Sequence, residues 1–244
     1  MLKEVKDISR IIIFEDKHIL VVNKPAGLVV QGGKPEESLW RKLKDFIKIR
    51  DGKPGEAFLG VVHRLDKPVS GVLIFAKRSK SARRLFESFT SGMVEKVYLA
   101  IVEGQLRKGG LWKDKMIWDK KEKIALTFVQ PVVYFRGQTQ VLLYPVTGRK
   151  HQLRKVLSAR GYPIVGDTKY HSREKILGGR AILLHAIYLS VPHPITREKL
   201  EFFANPPDYF TWIALDKRQI LEFLYRVKKF KSSLSLKEGK DVSG

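Results

Sequence analysis

The spacing of apolar runs constrains this chain more than any other feature. Short stretches rich in β-branched residues recur from end to end: "RIIIFED", "HILVVNKPAGLVV", "VSGVLIFAK", "EKVYLAIVEG", "TQVLLYPVTG" and "AILLHAIYLSVPHP". Each is bounded by Gly, Pro, Asp or Lys, as strands are. Helical spacing interrupts them irregularly. Strands outnumber helices and no steady strand–helix–strand alternation exists. The expected class is therefore α+β, a mixed, mostly antiparallel central sheet flanked by helices, rather than a doubly wound parallel sheet. With 244 residues and 43% hydrophobic composition the chain can bury one large core or two small ones.

Three helices are expected. Ser38 is placed to cap one whose apolar face is Leu39, Leu43, Phe46 and Ile47. "SKSARRLFESFTSG" gives a second, with Ala82, Leu85, Phe86 and Phe89 inward and Gly92 at its end. "RKHQLRKVLSARG" gives a third, closing on Gly161, with Leu153, Val156, Leu157 and Arg160 at helical spacing. Residues 105–140 read as a polar hairpin region. The charged, Ser-rich stretch from 229 to 244 reads as a loose basic tail behind a domain spanning 1–228.

The charge narrows the partner. Lys+Arg total 47 against 25 Asp+Glu, a formal charge of +22. Such an excess suits a polyanion, because neutralising phosphates releases counterions. Simple solubility and an anionic membrane surface are the blander readings, and no cationic amphipathic helix of the membrane type stands out. No run reaches transmembrane length and the N-terminus lacks a long apolar segment, so a cytoplasmic location is expected. The absence of Cys rules out disulfides, thiolate zinc sites and cysteine nucleophiles. His63, His151 and His185 lie far apart, without a nearby carboxylate pattern, so no metal is expected. No GxxxxGK[ST] phosphate loop is present.

One carboxylate is oddly placed. In "HRLDKPVSGVLIFAK", Asp66 stands between Arg64 and Lys67 at the mouth of an apolar run. An acid there either closes a turn or salt-bridges a neighbour, or it is a carboxylate nucleophile or base kept ionised by cations. Paired acid/base glycosidase chemistry needs a second carboxylate, and this stretch offers one.

"HRLDKPVSGVLIFAK" closely resembles the HRLDxxTSG motif of the RluA-type pseudouridine synthases. Four further stretches resemble that family's motifs in the same order: "EDKHILVVNKPAGLVV", "EKVYLAIVEG", "VTGRKHQLR", and then "YPIVGDTKY" with "LLHAIYLSVPHP". The likeness runs from about Ile11 to about Pro194. It implies a pseudouridine synthase-like fold and isomerisation of uridine to pseudouridine in ribosomal or transfer RNA, with no cofactor. It implies that Asp66 is the essential aspartate, attacking either C6 of the base or C1′ of the ribose. It makes Tyr98 the tyrosine against the base, Arg154 the arginine paired with the aspartate, and Arg64 the arginine that helps displace the flipped nucleotide. His63, Lys96, Arg149 and His151 join Arg64 as candidate RNA contacts, and Lys67, Lys77, Arg78 and Lys150 as candidate phosphate ligands. Val69 departs from the motif, where Thr is most frequent, and Gln31 stands where many members have His. The family motifs begin by about residue 8, so the S4-type RNA-binding domain that many members carry is not expected, and a monomer is. A non-catalytic RNA-binding factor on the same fold is the rival reading, and a nucleoside glycosylase a weaker one.

Overall fold

A computed structural model describes residues 5–33, 35–52, 54–210 and 215–238. Its frame is a ten-stranded sheet. The strands are β1 (Ile12–Glu15), β2 (Ile19–Lys24), β3 (Gly60–Val61), β4 (Ser70–Ala76), β5 (Glu95–Glu103), β6 (Gly110–Trp118), β7 (Lys121–Phe135), β8 (Gln138–Pro145), β9 (Leu184–Pro192) and β10 (Lys199–Phe203). Their order is β1-β2-β4-β9-β5-β8-β7-β6, with β3 beside β4 and β10 beside β9. Every pairing is antiparallel except β4 with β9. The expected mixed, mostly antiparallel sheet is therefore observed.

Five helices flank it: α1 (Val5–Arg10), α2 (Leu39–Arg50), α3 (Ser79–Thr90), α4 (Gln152–Ala159) and α5 (Lys217–Glu238). The alternation of β2 and β4 shows how two layers form. Leu20, Val22, Leu73 and Phe75 pack with the buried face of α2 and with Val156 and Leu157 of α4. Ile19, Val21, Val72 and Ile74 point the other way, to Leu85 of α3. A third cluster places Ile220, Phe223, Leu224 and Val227 of α5 against Val97, Leu99 and Tyr188. Burial on both faces explains why β4 reads as an unbroken apolar run.

The parallel β4–β9 seam is short, pairing Ser70 with His185 and Gly71 with Ala186. Gly71 sits at φ +120°, and a Cβ there would lie 2.3 Å from the carbonyl oxygen of Ala186. Only glycine lets the strands approach so closely. Asp66 lies just before this seam.

Several expectations need correction. The strand expected in "RIIIFED" is β1, and a helical turn, α1, which was not expected, precedes it. "LVV" at 28–30 is irregular chain ending in a bend rather than a strand; Leu28 and Val30 are buried, while the carbonyls of Val29 and Val30 accept the amides of Leu39 and Trp40 at the start of α2. Phe86 is not on the inner face of α3, which buries Ser81, Leu85 and Ser88; it is 58% exposed. The supposed break at 228 is crossed by α5, which continues to Glu238; residues 239–244 lie outside the described part. The α2 reading holds, including the Ser38 cap, whose side chain accepts from the Arg41 amide.

Candidate active site

A cleft of about 480 Å³ opens between the loop before β4, strand β5, the C-terminal part of α3 and the N-terminus of α4. Asp66, Tyr98 and Arg154, remote in sequence, all line it. The loop carrying Asp66 is tied down by its own carbonyls. Asp66 O accepts from the Val69 amide at 3.0 Å, closing a turn. Lys67 O accepts from Gly27 N at 2.8 Å, and Pro68 O from Ile182 N at 3.1 Å.

Arg154 reaches Asp66, though not as expected of a lone partner. Its Nη1 donates to Asp66 Oδ2 at 3.0 Å, while Nε and Nη2 form a two-bonded fork on Asp167 at 2.6 and 2.8 Å. The Asp167 side chain is 1% exposed and that of Asp66 is 28%. Burial disfavours the charge on Arg154, but hydrogen bonds and attraction from Asp167 and Asp66 outweigh it and push its pKa up. The guanidinium also lies over the Tyr170 ring, 4.9 Å from its centroid. One Asp66 oxygen is thus anchored and the carboxylate still faces the cleft.

His151 belongs to this site. It caps α4 in the left-handed region, at φ 55°, a conformation uncommon for a side chain of this size. Its Nε2 is 3.5 Å from Asp66 Oδ1 and its Nδ1 2.8 Å from Tyr170 Oη. Burial lowers its pKa; Asp66 opposes this and Arg154, Lys169 and Lys150 add to it. Tyr98 is also shifted by burial, with Asp66 second, and its phenol stays protonated well beyond neutral pH.

The other expected contacts separate by surroundings. Arg64 and Arg149 are exposed at the cleft, and their side chains have no hydrogen-bond or ion-pair partner among the described residues. Lys96 lines it too, its Nζ 5.9 Å from the Phe89 ring, and burial lowers its pKa. His63 is a wall rather than a free contact: it stacks on Phe89 at 4.5 Å and its Nε2 accepts from the Ile74 amide at 3.0 Å. Burial, then Lys96, brings its pKa down to about 3. Lys77 is spent away from the cleft, on Glu15 and the Asp16 carbonyl.

Two residues escaped the sequence reading. Asp167 stood inside "YPIVGDTKY"; an acid directly after an apolar run was the available signal that it needs a buried cation. Lys24, in "NKPAG", is fully buried and donates to the carbonyls of Pro25, Leu28 and Lys67, tying its turn to the Asp66 loop. Burial, opposed by Asp66, lowers its pKa to about 7. A third influence is the β6–β7 hairpin: Trp118 Nε1 donates to Lys150 O at 2.8 Å and props the lip of the cleft. Among the described residues no group of three or more His, Asp or Glu is placed to hold a metal, and no helix is long and apolar enough to cross a membrane.

Comparison with known proteins agrees with this architecture. The family model described as RNA pseudouridylate synthase matches residues 18–159. The chain is 37% identical over 211 residues to the dual-specificity RNA pseudouridine synthase RluA of Haemophilus influenzae, covering 80% of this chain and 92% of that protein. It is 31% identical over 238 residues to the ribosomal large subunit pseudouridine synthase D of Pseudomonas aeruginosa, covering 88% and 73%. A relative in Haemophilus ducreyi, 35% identical over 221 residues and covering 79% and 89%, is a tRNA pseudouridine synthase C. Among solved structures, human RNA pseudouridylate synthase domain containing 4 superposes with a TM-score of 0.72 at 28% identity, covering 85% of this chain and 92% of that one. The motifs, the sheet and these likenesses together make the chain a member of the RluA-type pseudouridine synthase family.

Proposed function

We propose that this pseudouridine synthase isomerises specific uridines in structured ribosomal or transfer RNA, with Asp66 as the attacking carboxylate. The observation that carries the reading is the Asp66 side chain, held through one oxygen by Arg154 and open to a cleft that Tyr98 also lines. Relatives named for ribosomal RNA, for transfer RNA and for dual specificity support both substrate classes.

A stacked uridine cannot reach a carboxylate at the bottom of a cleft, so the nucleotide swings out of the RNA first. Arg64 stands at the mouth, where a cation can occupy the gap and hold phosphate. Tyr98 packs against the extruded base. Asp66 acts at C1′ of the ribose or C6 of the base, and both routes are open to it. The bond from C1′ to N1 breaks and one from C1′ to C5 forms; C5 gives its proton to solvent and N1 takes one up. All atoms come from one nucleoside and water, so the reading uses no cofactor and no metal. The enzyme is read as a monomer acting in the cytoplasm.

The test is incubation with transcripts tritiated at uridine C5, followed by nucleoside analysis. Tritium in solvent together with pseudouridine in the RNA is expected. Free uracil would mean glycosidic cleavage, and binding without tritium release would mean a non-catalytic RNA-binding protein; either result overturns the reading.

A further inference from the structure

The cleft extends beyond the catalytic carboxylate, and its far rim has a different character. Phe86, Phe89 and Thr90 of α3 line it there, Arg64 lines the same cleft, and Lys96 Nζ lies 5.9 Å from the Phe89 ring. Phe89 has a structural duty, since one face of its ring carries His63. Phe86 has none. Leu85, next to it, is fully buried and satisfies the hydrophobic demand of that turn, leaving Phe86 58% exposed. The backbone beneath is fixed: Thr90 Oγ1 donates to Phe86 O at 3.0 Å inside a regular helix. A lone exposed aromatic needs no explanation. One fixed on a helix in the lining of a cleft that also holds an arginine side chain without a partner among the described residues matches the groove that binds single-stranded nucleic acid: aromatic faces for bases and cations for the backbone.

We infer that Phe86 is a stacking platform for the unpaired nucleobase next to the target uridine. The inference rests on the isomerase reading and extends it to substrate choice. The extruded uridine takes the Asp66–Tyr98 end, its neighbour stacks on Phe86, and Arg64 holds the phosphate between them. The enzyme then selects uridines flanked by a nucleotide that can leave its own stack, as in a loop or bulge, and it tolerates any base there, because every base offers a π-face.

A binding cycle tests this. The probe is a stem–loop carrying the uridine mapped by the tritium assay, made with all bases present and with an abasic residue at either flanking position. Dissociation constants are measured for the full-length protein and for Phe86→Ala, a surface substitution. Removing the ring is expected to weaken binding of the intact RNA by between about 5-fold and 150-fold. An abasic residue at one flank should cost the unaltered protein a similar factor and cost Phe86→Ala almost nothing. Phe86→Trp should restore the affinity and the abasic penalty. Equal affinities of Phe86→Ala and the unaltered protein, or abasic penalties that are the same in both, would overturn the inference while tritium release continued. Loss of tritium release from every RNA with the unaltered protein would instead strike at the isomerase reading beneath it.

Discussion

At the floor of the cleft two carboxylates share one guanidinium, and they share it unequally. The fork of Arg154 goes to Asp167, which cannot reach water; Asp66 receives one hydrogen bond and remains partly exposed. A buried ion without its partner is the costly case, so on the proposed reading Asp167 carries the stability and Asp66 the chemistry. Asp66→Asn should abolish pseudouridine formation while moving stability by no more than about 1 kcal/mol, the scale of a partly exposed pair. Multiple turnovers by a clean Asp66→Asn preparation would rule out its role in the reaction. Arg154→Met should cost about 3–5 kcal/mol by stranding the Asp167 charge. Adding Asp167→Asn should return much of that loss, and adding Asp66→Asn little. Urea midpoints of the three variants decide it: equal rescue by both asparagines would mean that the two carboxylates carry the same load. The resemblance made the Arg154–Asp66 pair legible in the sequence. The allocation of the fork was not legible, because it depends on which acid the fold removes from water.

Elements position these residues through the β4–β9 seam, where close approach and a buried histidine coincide. Gly71→Ala would place a methyl against the Ala186 backbone in a region of φ that side chains avoid. A loss of about 2–3 kcal/mol is expected, and an unchanged denaturation midpoint would refute the seam's role. Beside it His185 is fully buried, its Nδ1 2.8 Å from Ser70 Oγ and its Nε2 3.1 Å from Ala204 O. The carbonyl of Ala204 accepts, so Nε2 carries the proton and Nδ1 accepts from the serine. Burial, with the Ala204 contact opposing, lowers the pKa to about 4. The folded value lies below the unfolded one of about 6.5, so the unfolded chain binds the extra proton. His185 therefore contributes its full stability above pH 6.5 and loses about 1.4 kcal/mol per unit between pH 6.5 and pH 4. Urea midpoints at pH 7.5 and pH 5 should show that loss, and His185→Gln should flatten it; an identical slope in the variant would assign the loss elsewhere. Strands β2, β4, β5, β8 and β9 were legible because their apolar runs are bounded by turn residues. Phe86 was misread because helical spacing gives a face to each residue but not the width of the buried stripe, which Ser81, Leu85 and Ser88 fill with Ala82 and Phe89 at its edges. Helix α5 was not expected at all: its sequence looks like a solvated charge run until Ile220, Phe223, Leu224 and Val227 are seen docked on the sheet.

Over the whole molecule the formal charge of +22 is unevenly employed. Arg50 and Lys77 meet Glu15, Lys44 meets Glu56 and Lys228 meets Glu95, so these cations hold the fold's own acids. Arg64, Arg149 and Lys150, at the cleft, have no acidic partner among the described residues. Neutralised cations release few counterions when RNA arrives, and free ones release many. Affinity for the target RNA should therefore fall linearly in log–log terms as salt rises, with a slope of about −0.7 per phosphate contacted along single strands and about −0.9 in duplex, the latter figure being that for DNA. Replacing Arg64, Arg149 and Lys150 by Gln should each make the slope shallower by about one unit. Lys77→Gln, which removes a cation already paired with Glu15, should leave the slope as it was. Filter binding across low to physiological salt checks all four variants against the parent protein. A flat dependence in the parent would mean that the excess charge serves something other than RNA. A Lys77→Gln slope as shallow as those of the cleft variants would mean that RNA is gripped by the general field of the protein, and that the cleft holds no privileged path for the backbone.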